Sequence, residues 1–217
     1  MKPPLIFDLD GTLVDSLPGI AASLNRSLTA HGLLGHSDAA IRSFVGNGML
    51  TLIRRAAPTG ADPDLLASLA RFFKADYEVS WPRGTTAYPG VPKILSDFQL
   101  DGHPLAVLSN KPHDFTVEMV SRVFPGVHFT MVLGQREGMP HKPDPSGALL
   151  IANVFGVAPE HCVVIGDSTM DLETATNAGM KAVAVAWGYH DEARLVAAGA
   201  LRVAATVSEL PTLVGQV

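Results

Sequence analysis

Leu5-Ile6-Phe7-Asp8-Leu9-Asp10-Gly11-Thr12-Leu13-Val14-Asp15 is the stretch on which the reading of this chain turns. A short apolar run, long enough for one buried strand, stops at two carboxylates with one residue between them, followed by Gly and Thr. Gly11 breaks the strand, so Asp8 and Asp10 fall at its carboxyl end, where open parallel α/β sheets bind their ligands. Two acids this close repel each other unless a cation lies between them or one holds a proton. The same residues also read as a plain strand end with an Asp-Gly turn. Sequence farther along decides between the two.

A chain of 217 residues suffices for one large domain, or for a core domain carrying a smaller insertion. Apolar residues make up 47% and charged ones 17%, which supports a substantial core and argues against disorder. The net charge of −5 leaves no basic footprint and argues against nucleic acid as a partner. Cys162 is the only cysteine, so no intramolecular disulfide forms, which fits a reducing compartment. Met1-Lys2-Pro3-Pro4 enters the first strand without a long apolar segment or a cleavable signal pattern. The expectation is a cytoplasmic protein with no membrane partner. Its oligomeric state is not encoded in any feature of the sequence.

After Asp15 the pattern changes. Leu17, Ile20, Leu24 and Leu28 recur at helical spacing, and no β-rich run interrupts them. Ser37-Asp38 reads as the cap of a short helix with Ile41 and Phe44. Gly46-Asn47-Gly48 breaks the chain before Met49, and Asp62-Pro63 opens a further helix. That helix is expected to place Leu65, Leu69, Phe72 and Phe73 on one face. Residues 16–84 therefore read as an all-helical insertion.

Tyr88-Pro89-Gly90-Val91 marks the return to alternating strands and helices. Strands are predicted at Pro104–Leu108, Thr130–Leu133, Cys162–Ile165 and Ala182–Ala186. The intervening helices are predicted near Val91–Phe98, Phe115–Val123 and Ser146–Phe155, then up to Gly179, with a last one at Glu192–Ala198. This order predicts an α/β fold: a doubly wound, Rossmann-like parallel sheet formed by residues 1–15 and 85–217.

Polar residues gather at the strand ends and in one loop. Asp8 and Asp10 offer a nucleophile and an acid or base. Ser109 offers a hydroxyl, with the Asn110 amide beside it. Lys142, in a loop rich in Gly and Pro, is a compact cation suited to phosphate. Asp167 and Asp171 stand four apart at a helix start and can face one crevice. Asp8, Asp10 and Asp167 make an all-oxygen set that suits a hard cation such as Mg²⁺. Phosphoryl transfer needs mostly positioning and charge neutralisation, and these parts supply both. No Gly-rich loop ending in Lys-Ser/Thr is present, so a nucleotide is not required.

In chain order, Asp8–Ser16, Leu108-Ser109-Asn110-Lys111-Pro112, Lys142-Pro143-Asp144-Pro145 and Gly166-Asp167-Ser168-Thr169-Met170-Asp171 resemble the four motifs of the haloacid-dehalogenase superfamily. The helical insertion resembles that superfamily's mobile cap. Within it the likeness is to phosphoglycolate phosphatases: Arg42–Gly48 resembles their cap loop and Tyr88–Val91 their hinge return. Ser109 stands where that group more usually has threonine, and the hydroxyl survives. The resemblance implies that Asp8 attacks phosphorus and becomes an aspartyl-phosphate. It implies that Asp10 protonates the leaving alkoxide and then activates the hydrolytic water. Mg²⁺ would bind the Asp8 carboxylate, the Asp10 carbonyl and Asp167. Ser109, the Asn110 amide and Lys142 would hold the phosphoryl oxygens, with Asp171 orienting Lys142 or a metal-bound water. Arg42, Gly46 and Asn47 would contact a small phosphate ester.

Other readings stay open at this level. A sugar-phosphate phosphatase or phosphomutase would keep both acids. A phosphonate-cleaving enzyme would need a lysine in the insertion, yet none occurs between Lys2 and Lys74. A dehalogenase has no use for Asp10 as an acid. A phospho-accepting signalling receiver combines similar groups, but on a shorter chain without the insertion. His113, His128 and His141 lack the i, i+4 spacing of a zinc pair and read as surface or loop residues. His141 adjoins Lys142 and could tune it. Cys162 reads as a buried, inert thiol.

Overall fold

The computed structural model describes residues 2–217. The chain forms two compact units: the segment up to Val14 together with Ala87–Val217, and Asp15–Thr86 between them.

The chain begins with β1 (Leu5–Phe7) and passes through β2 (Val14–Asp15) into the helical unit. There α1 (Leu17–Ala30) buries Leu17, Ile20, Leu24 and Leu28, the residues whose spacing predicts it. Ser37 caps α2 (Asp38–Phe44) by accepting a hydrogen bond from Ala40 N, followed by α3 (Met49–Ala56). Asp62 caps α4 (Pro63–Ser80) by accepting from Leu65 N at 2.7 Å. Helices α1 and α4 are joined by Arg26, which donates to both Asp76 oxygens at 2.8 and 2.6 Å. Ser27 Oγ donates to Leu69 O beside it. The buried stripe of α4 differs from the expected one: it is Leu69, Ala70, Phe73 and Tyr77. Phe72 remains 39% exposed and Leu65 is half-buried. Four-residue steps from Leu69 lead to Phe73 and Tyr77, which leaves Phe72 a hundred degrees round the helix.

The chain leaves the helical unit through β3 (Thr86–Ala87). The α/β unit continues with α5 (Val91–Leu100), β4 (Leu105–Pro112), α6 (His113–Val123) and β5 (Met131–Gln135). It then adds α7 (Ser146–Phe155), β6 (Val163–Gly166), α8 (Thr169–Ala178) and β7 (Lys181–Val185). The chain closes with α9 (Glu192–Ala197), β8 (Val203–Ala204) and α10 (Leu210–Val214). Strands run in the order β5-β4-β1-β6-β7-β8, and every pair is parallel. From β1 the chain winds first to one side and then, from β6, to the other. β1 is the topological switch point, where such sheets open a ligand crevice.

Alternation along the strands covers both faces. Ile6, Ala106, Leu108 and Val164 pack with Ala148 and Ile151 of α7 and Ala175 of α8. Phe7 points the other way and meets Phe98 of α5 at a ring distance of 6.4 Å. Gly147 brings α7 onto the sheet, since a methyl there would press on Leu108 Cδ1 at 2.8 Å. Two features differ from the expected pattern. β4 runs on through Ser109, Asn110 and Lys111 to Pro112, with a register shift after Leu108. The tail adds β8 and α10, whose apolar runs are too short to give a periodic signal.

Candidate active site

Strand β1 ends one residue before Asp8, whose N–H still joins the ladder to Ile165 O at 2.9 Å. Its carboxylate is thereby fixed at the switch point, and Oδ1 accepts from Leu9 N at 2.7 Å. Lys142 Nζ lies 2.9 Å from Asp8 Oδ1 and 2.7 Å from Asp171 Oδ1, and it also donates to Leu108 O at 3.1 Å. Lys142 is 5% exposed, and its ammonium bridges two carboxylates.

Lys142 is held by its main chain. Asn110 Oδ1 accepts from Lys142 N at 2.8 Å, and Asn110 Nδ2 donates to Lys142 O at 3.1 Å. The following peptide bond to Pro143 is cis. The Asn110 side-chain amide is thus spent on positioning Lys142, a role the strand-end reading does not foresee. His141 is exposed and makes none of these contacts to the ammonium.

Asp167 follows β6. It accepts from Thr12 Oγ1 at 2.9 Å and from Tyr189 N at 2.7 Å. Three glycines make room for the acids. A methyl on Gly11 or on Gly188 would occupy the place of Asp167, and one on Gly166 would overlap Asp171. Gly11 also has φ +87, a left-handed conformation that L side chains rarely adopt. Asp171 closes the N-terminus of α8 in a capping box with Ser168, its Oδ2 accepting from Ser168 N at 3.1 Å and Ser168 Oγ at 2.6 Å.

Asp8, Asp167 and Asp171 each present a carboxylate oxygen within 4.8 Å of the others. Burial pushes the Asp8 carboxyl up to about 7; Lys142 opposes this shift, and the charges of Asp171 and Asp10 add to it. Burial, then the charges of Asp8 and Asp171, raise Asp167 well above the carboxylate range, against the hydrogen bonds from Tyr189 and Thr12. Burial alone would lower the Lys142 ammonium, but Asp171 and Asp8 outweigh it and the net direction is up. Buried oxygens that attract protons this strongly fit a hard cation: the donor set is all-oxygen, as Mg²⁺ requires.

Asp10, whose charge acts on Asp8, has a cation of its own. Its two oxygens accept from Lys111 Nζ at 3.0 and 3.1 Å. Ser109, on β4, accepts from Lys111 N through its hydroxyl at 3.2 Å. Arg42, exposed on α2, and Gly46 and Asn47, half-buried in the turn after it, belong to the helical unit.

Sequence reasoning missed Lys111, Thr12 and the segment Trp187–His190. Trp187 Nε1 donates to Thr12 O at 3.1 Å, and Thr169 N at the start of α8 donates to His190 Nδ1 at 3.2 Å. The available signal was position: Trp187 lies two residues past the end of strand β7, at the same carboxyl edge of the sheet as Asp8 and Asp167. Cys162 is buried, and burial pushes its thiol up to about 11, consistent with an inert group. His113 sits at the start of α6, accepting from Gly134 N at 3.2 Å and touching Arg136.

The family profile described as haloacid dehalogenase-like hydrolase matches residues 5–185. The chain belongs to the haloacid dehalogenase-like hydrolase family. It is 34% identical over 190 residues to a phosphoglycolate phosphatase of Pseudomonas putida, covering 86% of this chain and 70% of that one. A phosphoglycolate phosphatase of Mesorhizobium japonicum is also 34% identical, over 88% and 85% of the two chains. Among solved structures, a predicted phosphoglycolate phosphatase of Haemophilus somnus superposes with a TM-score of 0.90 at 27% identity, covering 97% of each chain. The protein is a hydrolase, as membership of this family implies. Among the described residues no helix is long and apolar enough to cross a membrane.

Proposed function

We propose that this hydrolase cleaves a small phosphate monoester, 2-phosphoglycolate, through a phosphoenzyme on Asp8. The observation that carries the reading is Lys142 Nζ bridging Asp8 and Asp171 at the switch point of the sheet. A carboxylate paired with a buried cation can accept a phosphoryl group while its charge is neutralised. The names of the relatives from Pseudomonas putida and Mesorhizobium japonicum support the choice of substrate.

In the first step an Asp8 oxygen attacks phosphorus as the ester P–O bond breaks, and Asp10 gives a proton to the departing alkoxide. In the second, Asp10 takes a proton from water as that water attacks phosphorus, releasing phosphate and restoring the Asp8 carboxylate. Ser109 and Lys142 hold the phosphoryl oxygens through both steps, while the Asn110 side-chain amide, bonded to the Lys142 main chain, keeps the lysine in place. The residues that would hold Mg²⁺ are Asp8, Asp167 and the Asp10 main-chain carbonyl; Asp171, occupied by Lys142 and Ser168, positions Lys142. When bound, Mg²⁺ neutralises phosphoryl charge that would otherwise repel an attacking carboxylate. On the helical unit, Arg42, Gly46 and Asn47 contact the substrate, with Arg42 binding its carboxylate.

The test is a panel of small phosphate monoesters assayed for phosphate release with Mg²⁺. 2-Phosphoglycolate should lead it. Arg42→Ala should weaken 2-phosphoglycolate by about ten- to a hundredfold, the loss of a charge-assisted hydrogen bond, and a neutral ester far less. Preference for hexose or nucleoside phosphates with 2-phosphoglycolate inert would overturn the substrate assignment.

A further inference from the structure

The Lys111–Asp10 pair is built in more detail than a surface ion pair. Lys111 is 8% exposed, and its ammonium donates to both oxygens of one carboxylate. Its backbone is fixed on three sides. Lys111 N donates to Ser109 Oγ, and Thr116 Oγ1 of α6 donates to Lys111 O at 3.1 Å. Gly134 of β5 lies so close that a methyl there would strike Lys111 O and Thr116 Oγ1. Two strands and a helix therefore aim this one side chain. The carboxylate it meets is outside the Asp8–Asp167–Asp171 cluster.

We propose that Lys111 is a positioning residue for the reaction, holding the Asp10 carboxyl where it meets the leaving-group oxygen and later the hydrolytic water. The assignment rests on the phosphomonoesterase reading above. A carboxylate on a short Asp side chain can rotate about two bonds, and a two-point contact from a fixed ammonium selects one orientation. With its proton on one oxygen, Asp10 still accepts from Nζ through the other. Once the proton has gone to the alkoxide, both oxygens accept. The same contact serves both half-reactions without moving the lysine, and no bond to Lys111 is made or broken.

The test compares Lys111→Met, Asp10→Asn and the double variant on a series of phosphate esters graded by the acidity of the departing alcohol. If Lys111 acts through Asp10, Lys111→Met slows phosphorylation of the enzyme by alkyl phosphates by about 10–100-fold, the cost of a misplaced group. Esters of acidic phenols, which leave without a proton, should be nearly unaffected in that step. The double variant should be no slower than Asp10→Asn on either class. An equal loss on all esters, or a further tenfold drop in the double variant, would overturn the proposal. Should Lys111→Met not fold, Lys111→Gln keeps a donor on a shorter stem, and the same leaving-group dependence is required of it. A wild-type enzyme that releases no phosphate from any ester would instead overturn the phosphatase reading.

Discussion

Asn110 and Lys142 clasp each other through a reciprocal pair of hydrogen bonds, side-chain amide to main-chain amide, at 2.8 and 3.1 Å. Strand β4 and the loop before α7 are thereby joined beside the ammonium that meets Asp8. Asn110→Ala leaves a buried N–H and C=O unmatched, with an expected loss of about 1–3 kcal/mol of stability. Turnover should fall further than stability does, by about 10–100-fold, because Lys142 is no longer held against Asp8. Asn110→Asp should fare no better, since an oxygen would then face Lys142 O. Thermal unfolding with steady-state kinetics on both variants checks this; unchanged kinetics in folded Asn110→Ala would refute it.

Gly188 offers a way to move Asp167 without changing its chemistry. A methyl at this position would stand where the Asp167 carboxylate lies. Gly188→Ala should cost about 1–3 kcal/mol of stability through overpacking. It should also weaken apparent Mg²⁺ affinity by about 10–100-fold, as misplaced metal ligands do. Titrating activity and melting temperature against Mg²⁺ reads both effects. Full activity at the wild-type Mg²⁺ concentration would show that Asp167 is not needed in its present place.

Burial and mutual repulsion give the metal-free protein a definite pH dependence. Asp8 and Asp167 have raised proton affinity in the fold, so the native state binds more protons than the unfolded chain. Where that holds, stability falls as pH rises, here from the unfolded carboxylate range up to about 7. A bound cation competes for the same oxygens and removes the repulsion. Mg²⁺ should therefore raise the melting temperature more at about pH 8 than at about pH 5.5. A metal-induced shift that is equal at both pH values, or larger in acid, would contradict this account of the cluster.

The two aspartates of the first motif should fail differently. Asp8→Asn should abolish turnover of every ester, because an amide cannot form the phosphoenzyme. Asp10→Asn should slow alkyl phosphates by about 10²–10⁴-fold, the usual contribution of a general acid. An aryl phosphate with an acidic phenol should still phosphorylate Asp8 and then stall, giving a burst of one phenol per enzyme. Mass spectrometry after rapid quench should find the phosphate on Asp8. Steady, unimpaired turnover of both ester types would remove Asp10 from acid–base work.

The fold is legible wherever a run of apolar residues is long enough to carry a period. Leu17, Ile20, Leu24 and Leu28 announce α1, and the parallel sheet follows from apolar runs such as Leu105–Leu108 ending in polar residues. Val203–Ala204 is too short to be seen this way, and Phe72 is misplaced because the buried stripe follows four-residue steps through Leu69, Phe73 and Tyr77 and leaves Phe72 at its exposed edge. In the site, Asp8 and Asp167 stand out because acids rarely follow buried strands without a purpose, and Lys142 because it is a compact cation in a loop rich in Gly and Pro. Lys111 falls within the second motif, but nothing in the sequence gives it a role until its partner 101 residues away is known. Gly188 and Tyr189 are invisible for a related reason: they act through a lack of side chain and a backbone N–H, which leave no chemical signature in sequence.

Asp171 closes the first turn of α8 with one oxygen and braces Lys142 with the other. Local order and chemistry thus share one side chain, so this position has almost no room for neutral drift. A glutamate would lengthen both reaches at once, and an asparagine would have to choose which partner keeps an oxygen. At an ordinary helix start several polar residues are interchangeable; here the tolerated alphabet should shrink to one letter. A library randomised at the start of α8 would recover that restriction even from a selection that scored only folding.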